Sequence, residues 1–94
     1  MTYLLVRQQV EEYAVWKAAF DRDAQLRQPN GSGGGFLFQS VDNPNEVVVL
    51  LAWDDVENLR RFTQADDLQT RMADAGVLGA PDIRYLRLVE EPRA

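Results

Sequence analysis

Residues 46–53, EVVVLLAW, have the hydrophobic pattern of a β-strand that is covered on both faces. Successive side chains of a strand point to opposite faces. One face therefore carries Val47, Val49, Leu51 and Trp53, and the other carries Val48, Leu50 and Ala52. A strand with one face in water usually alternates apolar and polar residues. Because both sets here are apolar, we expect each face of this strand to meet another layer of protein.

Three more segments have the pattern of β-strands, at residues 3–10, 36–41 and 82–89. The tetrapeptide DNPN before the strand at 46–53 is typical of a turn. If Pro44 and Asn45 are the two central residues of that turn, Phe36 pairs with Trp53 and Phe38 pairs with Leu51. This register predicts that Phe36, Phe38 and Trp53 share one face of the sheet, as in cross-strand aromatic groups that stabilise hairpins.

Two regions between the strands have helical periodicity. The first runs from Glu11 to about Gln28, and its apolar stripe consists of Tyr13, Trp16, Phe20 and Ala24. The second begins at Asp54, with Glu57 at the spacing of a capping box, and its inner stripe consists of Val56, Leu59, Phe62 and Thr63. A short helical segment is expected to restart near Asp67 and to end at Gly76, with three residues facing inward: Leu68, Met72 and Ala75.

The segment PNGSGGG, residues 29–35, is interpreted as a flexible linker that stops the first helix. A phosphate-binding loop is the alternative. Such a loop carries a Lys followed by Ser or Thr and leads into a helix, whereas this segment leads into a strand. The linker is therefore the favoured interpretation.

The predicted order is β-α-β-β-α-β in a single domain over residues 1–94. Short connections and right-handed crossovers favour an α+β, ferredoxin-like fold, with a four-stranded antiparallel sheet of strand order 4-1-3-2 and helices on one face. The opposite face would then be a larger apolar surface than monomers usually expose. We therefore expect a homodimer. Its predicted interface consists of Leu4, Val6, Val48, Leu50, Leu86 and Leu88.

Composition excludes several classes of function. The net charge is −5, which disfavours nucleic acid or an anionic membrane as partner. No apolar run approaches the roughly 18 residues that cross a bilayer, and the absence of a leader pattern and of cysteine favours the cytoplasm. The chain has no histidine and no cysteine, which removes the commonest general base, thiol chemistry and most metal and haem ligands. We expect no metal and no cofactor.

Three segments resemble the dimeric α/β-barrel superfamily, and within it the antibiotic-biosynthesis-monooxygenase-like proteins. They are YLLVRQQVEEYAVWKAAFD, NPNEVVVLLAWDDVENLRRF and AGVLGAPDIRYL. The resemblance implies a dimer in which two sheets face each other, and a ligand cleft between helices and sheet in each monomer. It also implies, as one activity of the family, cofactor-independent oxidation of aromatic molecules. Cofactor-free members carry an Asn four residues before the strand's Trp, where this chain has Val49.

Aromatic residues and Met72 are predicted either to line such a cleft or simply to form the core. The set consists of Trp16, Phe20, Phe36, Phe38, Phe62 and Met72. The candidate catalytic residues are Trp53, Tyr85 and Arg7, with the arginine polarising a bound substrate. Three functions stay open: a cofactor-independent oxygenase acting on a small aromatic molecule, a non-catalytic binder of a small hydrophobic ligand, and a structural or stress-associated dimer. Open space beside Trp53 would favour the first two.

Overall fold

The computed structural model describes residues 1–94, which form one four-stranded sheet with helices packed on one face. The strands have the order β2-β3-β1-β4 and are antiparallel, so the predicted ferredoxin-like topology is confirmed. The elements are β1 (Thr2–Val10), α1 (Tyr13–Arg22), α2 (Ala24–Arg27), a 3₁₀ turn (Gln28–Asn30), β2 (Ser32–Gln39), β3 (Glu46–Trp53), α3 (Val56–Thr63), α4 (Asp66–Asp74) and β4 (Val77–Arg87).

The helix-covered face of the sheet carries the core. Alternate residues of β3, from Val47 to Trp53, are buried there as predicted. Leu4 and Val6 of β1 are buried on the same face, so their predicted place in a dimer interface is wrong. The cause is the pairing of β1 with β3: Leu4 lies opposite Leu51 and Val6 opposite Val49, and directly paired residues share a face.

The register of the β2–β3 hairpin also differs from the prediction. Phe36 pairs with Leu50 rather than with Trp53, a displacement of three residues. The ladder ends where the Ser40 amide donates to the Glu46 carbonyl oxygen at 2.9 Å, so the loop holds residues 41–45 instead of two residues. An odd displacement reverses the faces of a strand. Phe36 and Phe38 therefore lie on the face away from the helices and are exposed.

The glycine-rich segment belongs largely to the sheet, so its interpretation as a flexible linker is corrected. β2 begins at Ser32 and includes Gly33, Gly34 and Gly35. A Cβ atom on Gly35 would lie 2.0 Å from the carbonyl oxygen of Leu50, which shows how closely the two backbones approach. Glycine is required there because any side chain would collide with the neighbouring strand.

The helices follow the predicted order with small changes at their ends. The first helical region breaks at Asp23 between α1 and α2. Asp55, and not Asp54, caps α3, because its carboxylate accepts a hydrogen bond from the Asn58 amide at 2.8 Å. Gly76 follows α4 with a φ of +88°, as expected of a helix-terminating glycine. No helix combines the length and apolar composition needed to cross a bilayer.

Candidate functional site

Trp53 lies inside the packed core and not beside an open cleft. The side chain is 1% exposed, and its indole N–H donates to the Asn30 carbonyl oxygen at 2.8 Å. Its ring lies 5.1 Å from that of Phe62. Trp53 lines none of five cavities of about 90 to 430 Å³. Its near-complete burial shows that the ring is packed against its neighbours and does not border the open space that was expected.

The three residues predicted to be catalytic do not meet. Tyr85 faces the helices, but its hydroxyl lies 2.6 Å from the Thr63 hydroxyl and its ring packs against a guanidinium. Arg7 lies on the other face of the sheet, where its Nε donates to the Glu46 carboxylate at 2.9 Å. Because Arg7 lies on the face away from the helices, its position does not support the predicted role of polarising a ligand held beneath them.

A small cleft does open between α1, α4 and the sheet, with a volume of about 90 Å³. We call it the inner cleft. Its walls include Trp16, Phe20, Phe62 and Met72, four of the six residues predicted to line a pocket. Leu68 and the core strands complete an apolar lining. The two phenylalanines of β2 that were predicted to join them lie on the opposite face of the sheet.

Four polar residues also line the inner cleft, and they are Gln8, Asp23, Arg27 and Arg71. Gln8 is 7% exposed, and its Oε1 has no hydrogen-bond partner. The Nε of Arg71 also has no hydrogen-bond partner; a carboxylate oxygen of Asp23 lies 3.7 Å away, in ion-pair range but too far for a hydrogen bond. Another nitrogen of this guanidinium bonds the carboxylate of Asp67. One acceptor and one donor are thus left open inside an apolar space.

A second space, the outer groove, lies between the first helical region and the glycine segment of β2. Its volume is about 430 Å³. It is lined on one side by Phe20, Ala24 and Arg27, and on the other by residues 32–37, where the missing side chains of three glycines leave room. The outer groove is open to solvent and contains both apolar and polar groups.

Phe20 and Arg27 form the wall between the two spaces, because both residues line each of them. The Arg27 guanidinium lies 3.8 Å above the Phe20 ring and donates to the Phe20 carbonyl oxygen at 2.7 Å. Burial lowers the pKa of Arg27, while the carboxylates of Asp23 and Asp21 act in the opposite direction. On its other side, Phe20 stacks on Trp16 with ring centroids 5.0 Å apart.

Gln8, Asp23, Arg27 and Arg71 were not predicted as site residues. Gln8 did carry a signal, since it interrupts an otherwise apolar set of alternate residues between Leu4 and Val10. The other three lie on helices whose solvent-facing charges look alike in sequence. Only the packing of α1, α2 and α4 identifies them.

No protein-family model and no curated protein matches this chain. Its fold, however, matches solved structures of antibiotic-biosynthesis-monooxygenase-like proteins along nearly the whole length. A candidate antibiotic biosynthesis monooxygenase from Bordetella bronchiseptica superposes with a TM-score of 0.78 at 19% identity, covering 95% of this chain and 97% of that one. SnoaB, a cofactor-independent oxygenase from Streptomyces nogalater, superposes with a TM-score of 0.77 at 17% identity, covering 96% of this chain and 94% of that one.

A candidate antibiotic biosynthesis monooxygenase from Deinococcus radiodurans gives a TM-score of 0.74 at 13% identity, covering 100% of this chain and 98% of that one. At these identities the likeness is one of fold. The fold implied by the sequence resemblance is confirmed.

Proposed function

We propose that this protein binds a small aromatic molecule in the inner cleft. The observation that carries the proposal is a largely apolar space, walled by Trp16, Phe20 and Phe62, whose lining also includes two residues with unpaired polar atoms. Ligand sites are commonly built in this way, with apolar walls for affinity and a few convergent polar groups for orientation. A space kept only by imperfect packing would not contain such groups, because buried polar atoms are nearly always paired.

The size of the two spaces indicates how a ligand is accommodated. The inner cleft, at about 90 Å³, is smaller than the roughly 150 Å³ cavity that holds benzene in a well-studied case. A ring therefore enters only if a side chain moves, and Met72 and Phe20 are the side chains best placed to do so. Movement of Phe20 joins the inner cleft to the outer groove of about 430 Å³. A larger planar ligand would then occupy both.

Tryptophan fluorescence tests the proposal with a built-in control. Trp16 lines the inner cleft, whereas Trp53 is buried away from it. Titration with planar phenols and quinones should quench the emission of the wild type and of Trp53→Phe. The quenching should be lost in Trp16→Phe. If no member of the panel gives saturable quenching, binding in this cleft is contradicted. The same conclusion follows if the quenching depends on Trp53 alone.

Cofactor-independent oxygenation is the second candidate function, and the shared fold with SnoaB favours it. In such a reaction a phenol loses its proton and supplies the electrons for O₂. One oxygen atom enters the ring para to the hydroxyl, giving a quinone, and the other leaves as water. Asp23 is the only carboxylate that lines the inner cleft, so it is the candidate base.

Oxygen consumption by the protein with planar phenols, in the presence of a metal chelator, tests this second candidate. Turnover that Asp23→Asn removes while phenol binding persists would support it. Binding without oxygen consumption would leave the protein as a binder.

We also propose that the protein is a homodimer that buries the sheet face away from the helices, which we call the outer face. The apolar side chains on this face are Tyr3, Leu5, Phe36, Phe38, Val48, Leu50, Ala52 and Leu86. Two ion pairs, Arg7–Glu46 and Arg84–Asp82, lie on the same face. Val48, Leu50 and Leu86 were predicted in this role, and Leu88 continues the alternation beyond β4. Exposed apolar surface of this extent usually marks an interaction site.

A further inference from the structure

We propose that Gln8 and Arg71 form a recognition site for one uncharged hydroxyl group of the ligand. Gln8 Oε1 and Arg71 Nε are the only buried side-chain nitrogen or oxygen atoms that lack a hydrogen-bond partner. They come from β1 and α4, distant segments of the chain, and both line the inner cleft. Because a buried unpaired donor or acceptor destabilises the folded state, two in one cleft indicate that something else completes them.

The chemistry of the two atoms selects the partner. Gln8 Oε1 needs a donor, and the N–H of Arg71 Nε needs an acceptor. A hydroxyl group supplies both: its proton bonds to Gln8 while its oxygen accepts from Arg71. A carboxylate would satisfy Arg71 but place another acceptor opposite Gln8. An apolar group would leave both atoms unpaired.

The charges around the site favour a neutral ligand. Arg71 already pairs with Asp67 and lies 3.7 Å from a carboxylate oxygen of Asp23. Asp23 also acts electrostatically on Arg27, the other cation of the cleft. The two arginines are therefore compensated by two aspartates, and no excess positive charge is left for an anion. A phenol satisfies these conditions, since it combines a neutral hydroxyl with a ring for the apolar walls.

Fold stability alone does not account for glutamine at position 8. Its neighbours on the buried face, Val6 and Val10, are apolar, and an apolar residue of similar volume would leave no unpaired atom. The inference rests on the proposed function, because it names the chemical group that the same cleft binds.

Phenol, toluene and benzoate provide the test, with binding measured by calorimetry or by chemical-shift titration. Phenol and toluene have nearly the same shape, but toluene is the more hydrophobic, so burial alone would favour toluene. We expect phenol to bind the wild type at least about tenfold more tightly than toluene, because one or two good hydrogen bonds supply an affinity difference of that size. Benzoate should bind more weakly than phenol.

Two variants separate recognition from mere access to the cleft. Gln8→Leu and Arg71→Met remove one polar atom each while keeping apolar bulk, and thermal denaturation checks that both are folded. Each should reduce the preference for phenol over toluene to about threefold or less, because one of the two hydrogen bonds is lost.

The outcomes distinguish the two proposals. If toluene binds the wild type as tightly as phenol, or if benzoate binds more tightly than phenol, hydroxyl recognition is overturned while binding of aromatic molecules stands. Hydroxyl recognition is also overturned, and aromatic binding again stands, if both variants keep the full preference for phenol. If neither phenol nor toluene binds the wild type, the proposed function fails and hydroxyl recognition fails with it.

Discussion

Arg7 and Gln8 are adjacent polar residues of β1 that point to opposite faces of the sheet. The strand is apolar on both faces, with Leu4 and Val6 on one and Leu5 on the other. The polar pair therefore decides which face packs against the helices. A guanidinium is far more costly to bury than an amide, so Arg7 lies at the surface with Glu46 and Gln8 lies in the core. This difference places Gln8 in the lining of the inner cleft.

Replacing the unpaired amide should stabilise the protein. We expect Gln8→Leu to raise the free energy of unfolding by about 1 kcal/mol, since it removes a buried acceptor that has no partner. Gln9→Leu, on the exposed side of the same strand, is the control and should change it by about 0.5 kcal/mol or less. Urea denaturation measures both. A clear loss of stability in Gln8→Leu would show that the amide has a structural role.

Trp53 should behave as a core residue. Its burial and its hydrogen bond to the Asn30 carbonyl link β3 to the 3₁₀ turn. Trp53→Ala should therefore lower the free energy of unfolding by about 3–5 kcal/mol, the range found for large aromatic residues in cores. Trp53→Phe should lower the free energy of unfolding by a smaller amount. A stable Trp53→Ala protein that no longer binds aromatic ligands would instead favour a direct role of Trp53 in the site.

The site was predictable only in part, for reasons visible at Phe20 and Phe38. Phe20 lies on a helical stripe, and the period of a helix fixes which side faces the sheet, so its place in the cleft was found from sequence. Phe38 lies on a strand in which both faces carry apolar residues, so its side depends on the hairpin register. The places of Asp23, Arg27 and Arg71 in the cleft lining depend on how α1, α2 and α4 approach one another, which no local pattern encodes.

At the scale of elements, the close approach of β2 to β3 at Leu50 depends on Gly35. We expect Gly35→Ala to lower the free energy of unfolding by about 1–3 kcal/mol, as overpacking usually does, because the new Cβ would lie 2.0 Å from the Leu50 carbonyl oxygen. Gly33→Ala is the matched control. Its Cβ would meet that of Ala52 at an ordinary 3.7 Å.

Chemical denaturation of the two glycine variants compares them directly. Gly33→Ala should be neutral or slightly stabilising, because alanine restricts the unfolded chain. Equal effects of the two substitutions would contradict the packing of β2 against β3 described above.

Element order was predictable from hydrophobic periodicity, whereas register and strand limits were not. Apolar runs and helical stripes identify four strands and the helices, and the rules of chain connection then select the topology. The hairpin register depended on the length of the loop before Glu46. Asn43 lengthens that loop, because its side-chain oxygen accepts from the Asn45 amide at 3.0 Å and its carbonyl accepts from the Glu46 amide. Local hydrogen bonds of this kind compete with a two-residue turn.

At the scale of the whole molecule, the protein exposes more surface than its mass explains. Its accessible area is 6454 Å² for 10.7 kDa, whereas a monomeric protein of that mass is expected to expose about 5500 Å². Part of the excess is on the outer face, where Phe36 is 61% and Phe38 50% exposed. A depression of about 400 Å³, lined by Tyr3, Leu50 and Leu86 among others, gives this face a shape that can receive side chains.

The proposed dimer can be tested by one charge placed on the outer face. Leu50 lies between Phe36 of β2 and Leu5 of β1, in the middle of the apolar surface. Leu50→Asp would bury an unpaired carboxylate in the interface, which is strongly unfavourable, so sedimentation at micromolar concentration should show a dimer for the wild type and a monomer for the variant.

Val15→Asp is the control, because it adds the same charge at an exposed position of α1, away from the sheet. It should remain dimeric, which would show that the location of the charge and not the charge itself separates the subunits. A stable interface buries about 800 Å² per partner, and the outer face is the apolar surface best able to supply that area. A monomeric wild type, or a Leu50→Asp protein that stays dimeric, would mean that this face is not the subunit interface.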